Sequence, residues 1–318
     1  MKLSLRNDGG RVRDGWKAVF FILAAMACFV VTGLIGHRLP VSWRPFAPSA
    51  ILATVLALAI TWGATRLEDS TLASVGLSFD GRFLVQWTVG IFVGAAMILA
   101  TAAAACAVAG VRLESAAGPT LPVELKLAAM FLGGAIFEEV LFRGFAFQRA
   151  MHGMGTWSAI GVFGVLFCLG HVPGNLDIGA ALMATAMANL FANAILQSVL
   201  FGLAHMNNQN VSLLGIVNTV LWGILLGYAF LRSGDLWLPI GLHFGWNLLQ
   251  ASLGFGVSGI SHTDTWYHVS LGNAPGWLTG GEFGLEASIF ALVLQVALIA
   301  IMLKTTSRSS RELRGQAA

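Results

Sequence analysis

Long apolar runs constrain this chain more than any other feature. Segments 16–36, 48–65, 83–109, 127–147, 157–170, 180–203, 211–231, 236–253 and 285–303 are apolar, and all but 127–147 carry at most one charge. Most approach the roughly 20 residues that a helix needs to cross the hydrocarbon core of a bilayer. Of the 318 residues, 57% are hydrophobic and only 10% are charged, with a mean hydropathy of +0.78. Soluble domains carry about a quarter charged residues, so a soluble fold of this length is excluded. The fold class read from the sequence is all-α, a polytopic transmembrane helical bundle.

Charge sets the expected orientation. Arg6, Arg11, Arg13 and Lys17 precede or open the first run, and Lys304, Arg308, Arg311 and Arg314 follow the last. Basic flanks stay on the cytoplasmic side, which puts both termini inside and makes the number of crossings even. The shortest run, 157–170, has the length of a buried or re-entrant piece, leaving about eight crossings. Which of 157–170 and 180–203 fully crosses stays open. The first run is too long for a secretory signal core and no small-x-small cleavage site follows it, so it reads as an uncleaved helix. The net charge of +3 comes from these topology signals, and no arginine-rich stretch carries interleaved aromatics. Nucleic acid is therefore not a partner; the lipid bilayer is.

The chain divides into leading transmembrane helices (1–120), a membrane core that holds most of the polar residues at membrane depth (121–255), and an extracytoplasmic loop, last transmembrane helix and basic cytoplasmic tail (256–318). The tail beyond Ser307 is expected to be disordered. Cys28, Cys106 and Cys168 fall within apolar runs without C-x-x-C spacing and read as small hydrophobes. Trp157, Trp237, Trp266 and Trp277 suit interfacial anchors.

Charge at membrane depth is the second constraint. Glu138, Glu139 and Arg143 sit together in F-E-E-V-L-F-R-G, inside the run 127–147. Each costs about 2.5–3.5 kcal/mol at the centre of a spanning helix, so the cluster needs a structural or chemical reason. Glu139 and Arg143 share a helical face, whereas Glu138 points about 100° away. His171, His205 and His243 also fall in or at the ends of apolar runs. Phe201 and His205 are four apart, as are His243 and Asn247. Ionisable groups in spans face bundle interiors or water-filled cavities, so these side chains are expected to converge from separate helices.

Such a set has a chemistry. A carboxylate in low-dielectric surroundings can take a proton from water near neutral pH. An imidazole orients the same water, and the carboxamide of Asn247 can donate to a developing oxyanion. Glutamate plus two histidines is also a zinc-hydrolase donor pattern, with Glu138, His205 and His243 as the ligands if Zn2+ is present. No H-E-x-x-H and no G-x-S-x-G occurs. Taken singly, each piece has a structural reading: an i,i+4 ion pair for Glu139 and Arg143, and hydrogen-bonded core residues for the histidines. Asn189, Asn193 and Gln197, spaced by four, read as helix-to-helix glue.

E-E-x-x-x-R-G, then F-x-x-x-H, then H-x-x-x-N, in that order on successive apolar helices, resembles the CPBP family of intramembrane proteases. That family, also called Abi, includes the type II CAAX prenyl endopeptidases. T-L-A-S-V-G-L at 71–77 and G-D-L-W-L-P-I-G at 234–241 are similar to its flanking patterns, so the resemblance covers roughly 71–250. It implies a membrane endopeptidase of about eight helices, commonly labelled a metalloprotease, acting on a membrane-associated protein or peptide. Glu138 would be the general base, Glu139 and Arg143 would complete the first motif, His205 and His243 would assist at the water or metal, and Asn247 would stabilise the oxyanion. The gap before His205 exceeds the family's by about one helical segment, and Phe167 to His171 is a second F-x-x-x-H. His205 is preferred, because its distance to His243 resembles the family's. CAAX-type processing competes with two other readings, a proton-coupled transporter and a catalytically silent scaffold or immunity protein. Transporter-like repeats are absent. The Ala-, Gly- and Arg-leaning composition suggests a bacterial inner membrane.

Overall fold

The computed structural model describes residues 10, 12–38, 48–156, 158, 212–262 and 264–315. These residues are mostly helical. The helices are α1 (Asp14–Arg38), α2 (Pro48–Arg66), α3 (Phe83–Ala109), α4 (Leu121–Arg143), α5 (Phe145–Met154), α6 (Leu213–Ser233), α7 (Trp237–Ser252), α8 (Gly276–Thr279) and α9 (Ile289–Gly315). The run 180–203 and nearly all of 157–170 lie outside the described residues, as do Trp157 and Cys168. Among the described helices, α3 and α6 are long and apolar enough to cross a membrane by length and composition alone. Leu84, Val85, Val89, Phe92 and Leu99 of α3, and Phe20, Leu23 and Ile35 of α1, point outward. So much contiguous apolar surface suits lipid and not water.

Local chemistry sets the helix ends. Ser212 caps α6 by accepting from the Gly215 N–H at 3.0 Å, and Gly234 closes it in the left-handed region at φ 72°. The run 127–147, read as one apolar segment, is in fact two helices. A Cβ at Gly144 would lie 2.2 Å from the Val140 carbonyl oxygen, so only glycine lets the chain turn from α4 into α5. The tail also departs from expectation. Instead of disorder beyond Ser307, α9 continues to Gly315. Residues 304–314 contain no proline or glycine, and Arg308 and Glu312 are four apart, so nothing interrupts the helical ladder. A small β-pair qualifies the all-α reading: β1 (Arg112–Ser115) runs antiparallel to β2 (Tyr267–Ser270), with Leu113 opposite Val269.

Helix α7 is the centre of the bundle, flanked by α3, α4 and α6. Its closest neighbour is α3, and the contact is made by glycines. A Cβ at Gly90 would lie 2.4 Å from the Leu238 carbonyl oxygen, and one at Gly94 2.2 Å from that of Leu242. Reciprocally, a Cβ at Gly241 would lie 2.2 Å from the Trp87 carbonyl oxygen, and one at Gly245 2.4 Å from that of Ile91. Both helices thus carry G-x-x-x-G, the pattern that lets two backbones touch in a membrane. On one side of α7 a core forms from Phe131, Ala135, Val140, Phe147, Phe230 and Ile240. On the other, Ile98, Trp222, Leu225, Leu226, Trp246 and Leu285 pack together.

The two flanking patterns meet. The Leu236 N–H donates to the Gly76 carbonyl at 2.7 Å, Ser78 donates to the Asp235 carboxylate, and Trp237 Nε1 donates to the Ser78 carbonyl at 2.5 Å. Gln148 of α5 adds a bond to the Val75 carbonyl at 2.9 Å. The loop after α2 therefore fixes the start of α7. Nearby, Arg149 of α5 and Lys17 of α1 converge on Glu68, with Arg149 Nε 3.0 Å and Lys17 Nζ 2.9 Å from its oxygens.

Two predictions follow from this packing. Gly94→Ala or Gly241→Ala forces a methyl group into a carbonyl and is expected to cost at least about 1–3 kcal/mol, read as lowered thermal stability in detergent. Burial pushes the Glu68 carboxyl up, but hydrogen bonds from Arg149 and Lys17 outweigh it and hold the pKa below its ordinary 4.5. A depressed carboxyl stabilises the fold above that value and loses the contribution as pH falls through the folded pKa. Glu68→Gln should lower the melting temperature at neutral pH and flatten its decline below pH 4.5, measured across a pH series.

Candidate active site

One oxygen atom joins three of the residues singled out in the sequence. Glu139 Oε1 accepts from Arg143 Nη1 at 3.1 Å, one turn along α4, and lies 3.0 Å from Nδ1 of His243 on α7. Arg143 Nη2 donates to the Gly223 carbonyl of α6 at 2.9 Å. Glu139, Arg143 and His243 are all buried. A buried charge is tolerated only when paired and hydrogen-bonded, and this cluster meets that condition while tying α4, α6 and α7 together. A carboxylate beside a guanidinium accepts, so Nδ1 of His243 is the donor in this contact.

The other ring nitrogen, Nε2, faces Glu138. His243 Nε2 lies 3.8 Å from Glu138 Oε2, too far for a direct hydrogen bond and a distance that one water bonded to both atoms spans. The two glutamates differ in their surroundings: the Glu138 side chain is 24% exposed, whereas that of Glu139 has no exposed surface. The i,i+1 rotation of the helix produces the difference, because it turns Glu139 into the packed core and leaves Glu138 at its edge. Asn247, one turn after His243 on α7, lines a cavity beside it with Asn218, Thr219 and Trp222 of α6.

The structure thus brings Glu138, Glu139, Arg143 and His243 together, with Asn247 on the same face of α7 as His243. His205 and the alternative His171 lie outside the described residues. Among the described residues no group of three His, Cys, Asp or Glu is arranged to hold a metal ion. Glu138 and His243 nevertheless fit as two zinc ligands. Their 3.8 Å separation is near the roughly 3.4 Å between two ligands of a tetrahedral zinc, and a carboxylate on Nδ1 is the usual support for a metal-binding histidine.

Sequence reading passed over several neighbours of this cluster. The Gly223 carbonyl that receives Arg143 carries no side-chain signal. Asn218 and Gln295 did carry one, since each is a polar residue in the interior of an apolar run, 211–231 and 285–303. The paired G-x-x-x-G patterns were equally visible.

The described residues form a mostly helical bundle with glutamate and histidine gathered on its inner helices. The family can be named. Residues 121–196 and 181–249 match the family described as type II CAAX prenyl endopeptidase Rce1-like, within CPBP. The match covers 121–249, less than half of the chain, and the family that the chain resembles there comprises membrane-embedded, CAAX protease-like hydrolases. The two matched stretches share 181–196, in the region where the spacing between motifs is longer than expected. No curated protein and no solved structure matches the chain.

Removing one partner of the buried cluster leaves the other uncompensated. Arg143→Met is expected to destabilise the protein by about 3–5 kcal/mol, and the double variant Glu139→Gln/Arg143→Met to recover much of that loss, both read by denaturant or thermal unfolding.

Proposed function

We propose that the protein is an intramembrane endopeptidase that hydrolyses a peptide bond of a membrane-associated protein or peptide with a glutamate-activated water, in the manner of CAAX processing. One observation carries the reading: His243 stands between two glutamates, held through Nδ1 by Glu139 and facing Glu138 with Nε2. Glu138 takes a proton from a water shared with His243, and the resulting hydroxide attacks the carbonyl carbon of the scissile amide. Asn247 donates to the tetrahedral oxyanion from its carboxamide. The proton on Glu138 passes to the amide nitrogen, the C–N bond breaks, and a new carboxylate and amine leave. Arg143 holds Glu139 in place, and Glu139 in turn accepts from Nδ1 of His243. Should Zn2+ be resident, Glu138, His205 and His243 would hold it, and it would supply Lewis-acid polarisation of the scissile carbonyl.

The same reading gives about eight crossings with both termini cytoplasmic, in a bacterial inner membrane, and it takes His205 as the second-motif histidine. The apolar, outward-facing surfaces of α1 and α3 and the basic ends of the chain support it.

Purified protein in bilayer discs tests the proposal. Glu138→Gln should lower cleavage by about 10²–10⁴-fold, and Asn247→Ala by about 10²–10³-fold, with folding intact. Cys28→Ala should match wild type. Inactivity of His205→Ala with activity retained in His171→Ala identifies the second-motif histidine, and the reverse overturns the choice. Chelator loss restored by zinc decides the metal. Robust proteolysis by Glu138→Gln would falsify the base assignment.

A further inference from the structure

Asn218 on α6 donates both protons of its side-chain amide to backbone carbonyls, those of Glu286 at 2.7 Å and Ser288 at 2.8 Å. Its NH2 group is thereby spent. The remaining oxygen, Oδ1, finds no partner among the described residues, although Asn218 is only 1% exposed. Gln295 of α9 is equally buried, and its Oε1 likewise has no partner among the described residues. Both residues line the cavity whose other wall is His243 and Asn247. Buried acceptors are rarely left unmet, and two acceptors on different helices cannot satisfy each other. What the site lacks is a donor.

Size selects the donor. The cavity holds about 30 Å³, and a buried water needs roughly 10–15 Å³ together with two or more polar partners. That is room for about two waters. Both unmet oxygens are neutral, which favours water over a cation. The Glu286 carboxylate, also in the wall, already receives Gln250 Nε2 at 3.0 Å and the Ser258 N–H.

We infer that this cavity between α6, α7 and α9 is a water-holding site beside the hydrolytic centre, with Asn218 and Gln295 as its positioning residues. Each water donates to one of those oxygens and turns a lone pair toward the cavity's inner wall, where Asn247 has amide protons to give. The inference rests on the hydrolase reading for its purpose: every turnover consumes a water, and a bundle set in lipid cannot draw one from its outer surface. Ser258, Glu286 and Gln295 all follow residue 249, so the device is built partly from sequence beyond the matched segment.

X-ray radiolysis of the full-length protein in bilayer discs tests this directly, because bound water generates hydroxyl radicals that oxidise adjacent side chains. Trp222 and Trp246 line the cavity yet are 8% and 2% exposed. They should be oxidised in wild type at rates approaching that of exposed Trp277, whereas buried Phe147 should not. Gln295→Met, of similar volume but without the acceptor, should lower labelling of both tryptophans severalfold and kcat by about tenfold, with KM nearly unchanged. A merely loosened fold would raise the labelling. Tryptophans as inert as Phe147 in wild type overturn the water site, and so does labelling that is equal in wild type and Gln295→Met. The labelling needs no substrate, so a wild-type protein that is labelled as expected but cleaves nothing overturns the hydrolase reading and leaves the water site standing.

Discussion

A carboxylate with no exposed surface, Glu139, governs how this bundle is assembled. A charge so deep in apolar surroundings costs several kcal/mol unless compensated, and the compensation comes from Arg143 on its own helix and His243 on another. Arg143 in turn reaches the backbone of a third helix at Gly223. Three helices are thus held in register by a demand that one buried charge imposes. The same demand holds Nδ1 of His243 as a donor and turns Nε2 toward Glu138.

The second requirement is that α7 be held at a fixed distance and rotation. Glycines at 90, 94, 241 and 245 let α3 approach α7 backbone to backbone, and His243 lies between the two glycines of its own helix, directed instead at α4. The beginning of α7 is pinned separately by the loop that carries Gly76 and Ser78. The imidazole is therefore positioned by three contacts that involve no catalytic chemistry. This division of labour places the stability of the bundle in small residues and backbone bonds, leaving Glu138 comparatively open.

Much of this was legible in the sequence, for physical reasons that can be named. Charges in the run 127–147 stand out because their cost there is large, and the i,i+4 rule alone puts Glu139 and Arg143 on one face. Helix α3 was read at its observed bounds because Arg82 and Gly110 punctuate it. What escaped was whatever depends on tertiary contact. The break at Gly144 looks like a continuous apolar run until the Val140 carbonyl is in place, and the pairing of β1 with β2 spans more than 150 residues. The receptor for Arg143 is a main-chain oxygen, which no residue type betrays. Disorder in the tail is what its polarity alone suggests, whereas α9 runs on to Gly315 with no proline or glycine in it before that residue.

The glycine contact between α3 and α7 has a mechanical corollary. Two helices seated main chain on main chain cannot slide or roll past one another by even part of a turn, since each carbonyl would ride up over the neighbouring Cα. They behave as one stiff strut, and His243 is mounted on it. Any movement of the bundle must therefore hinge elsewhere, around an anvil that stays still.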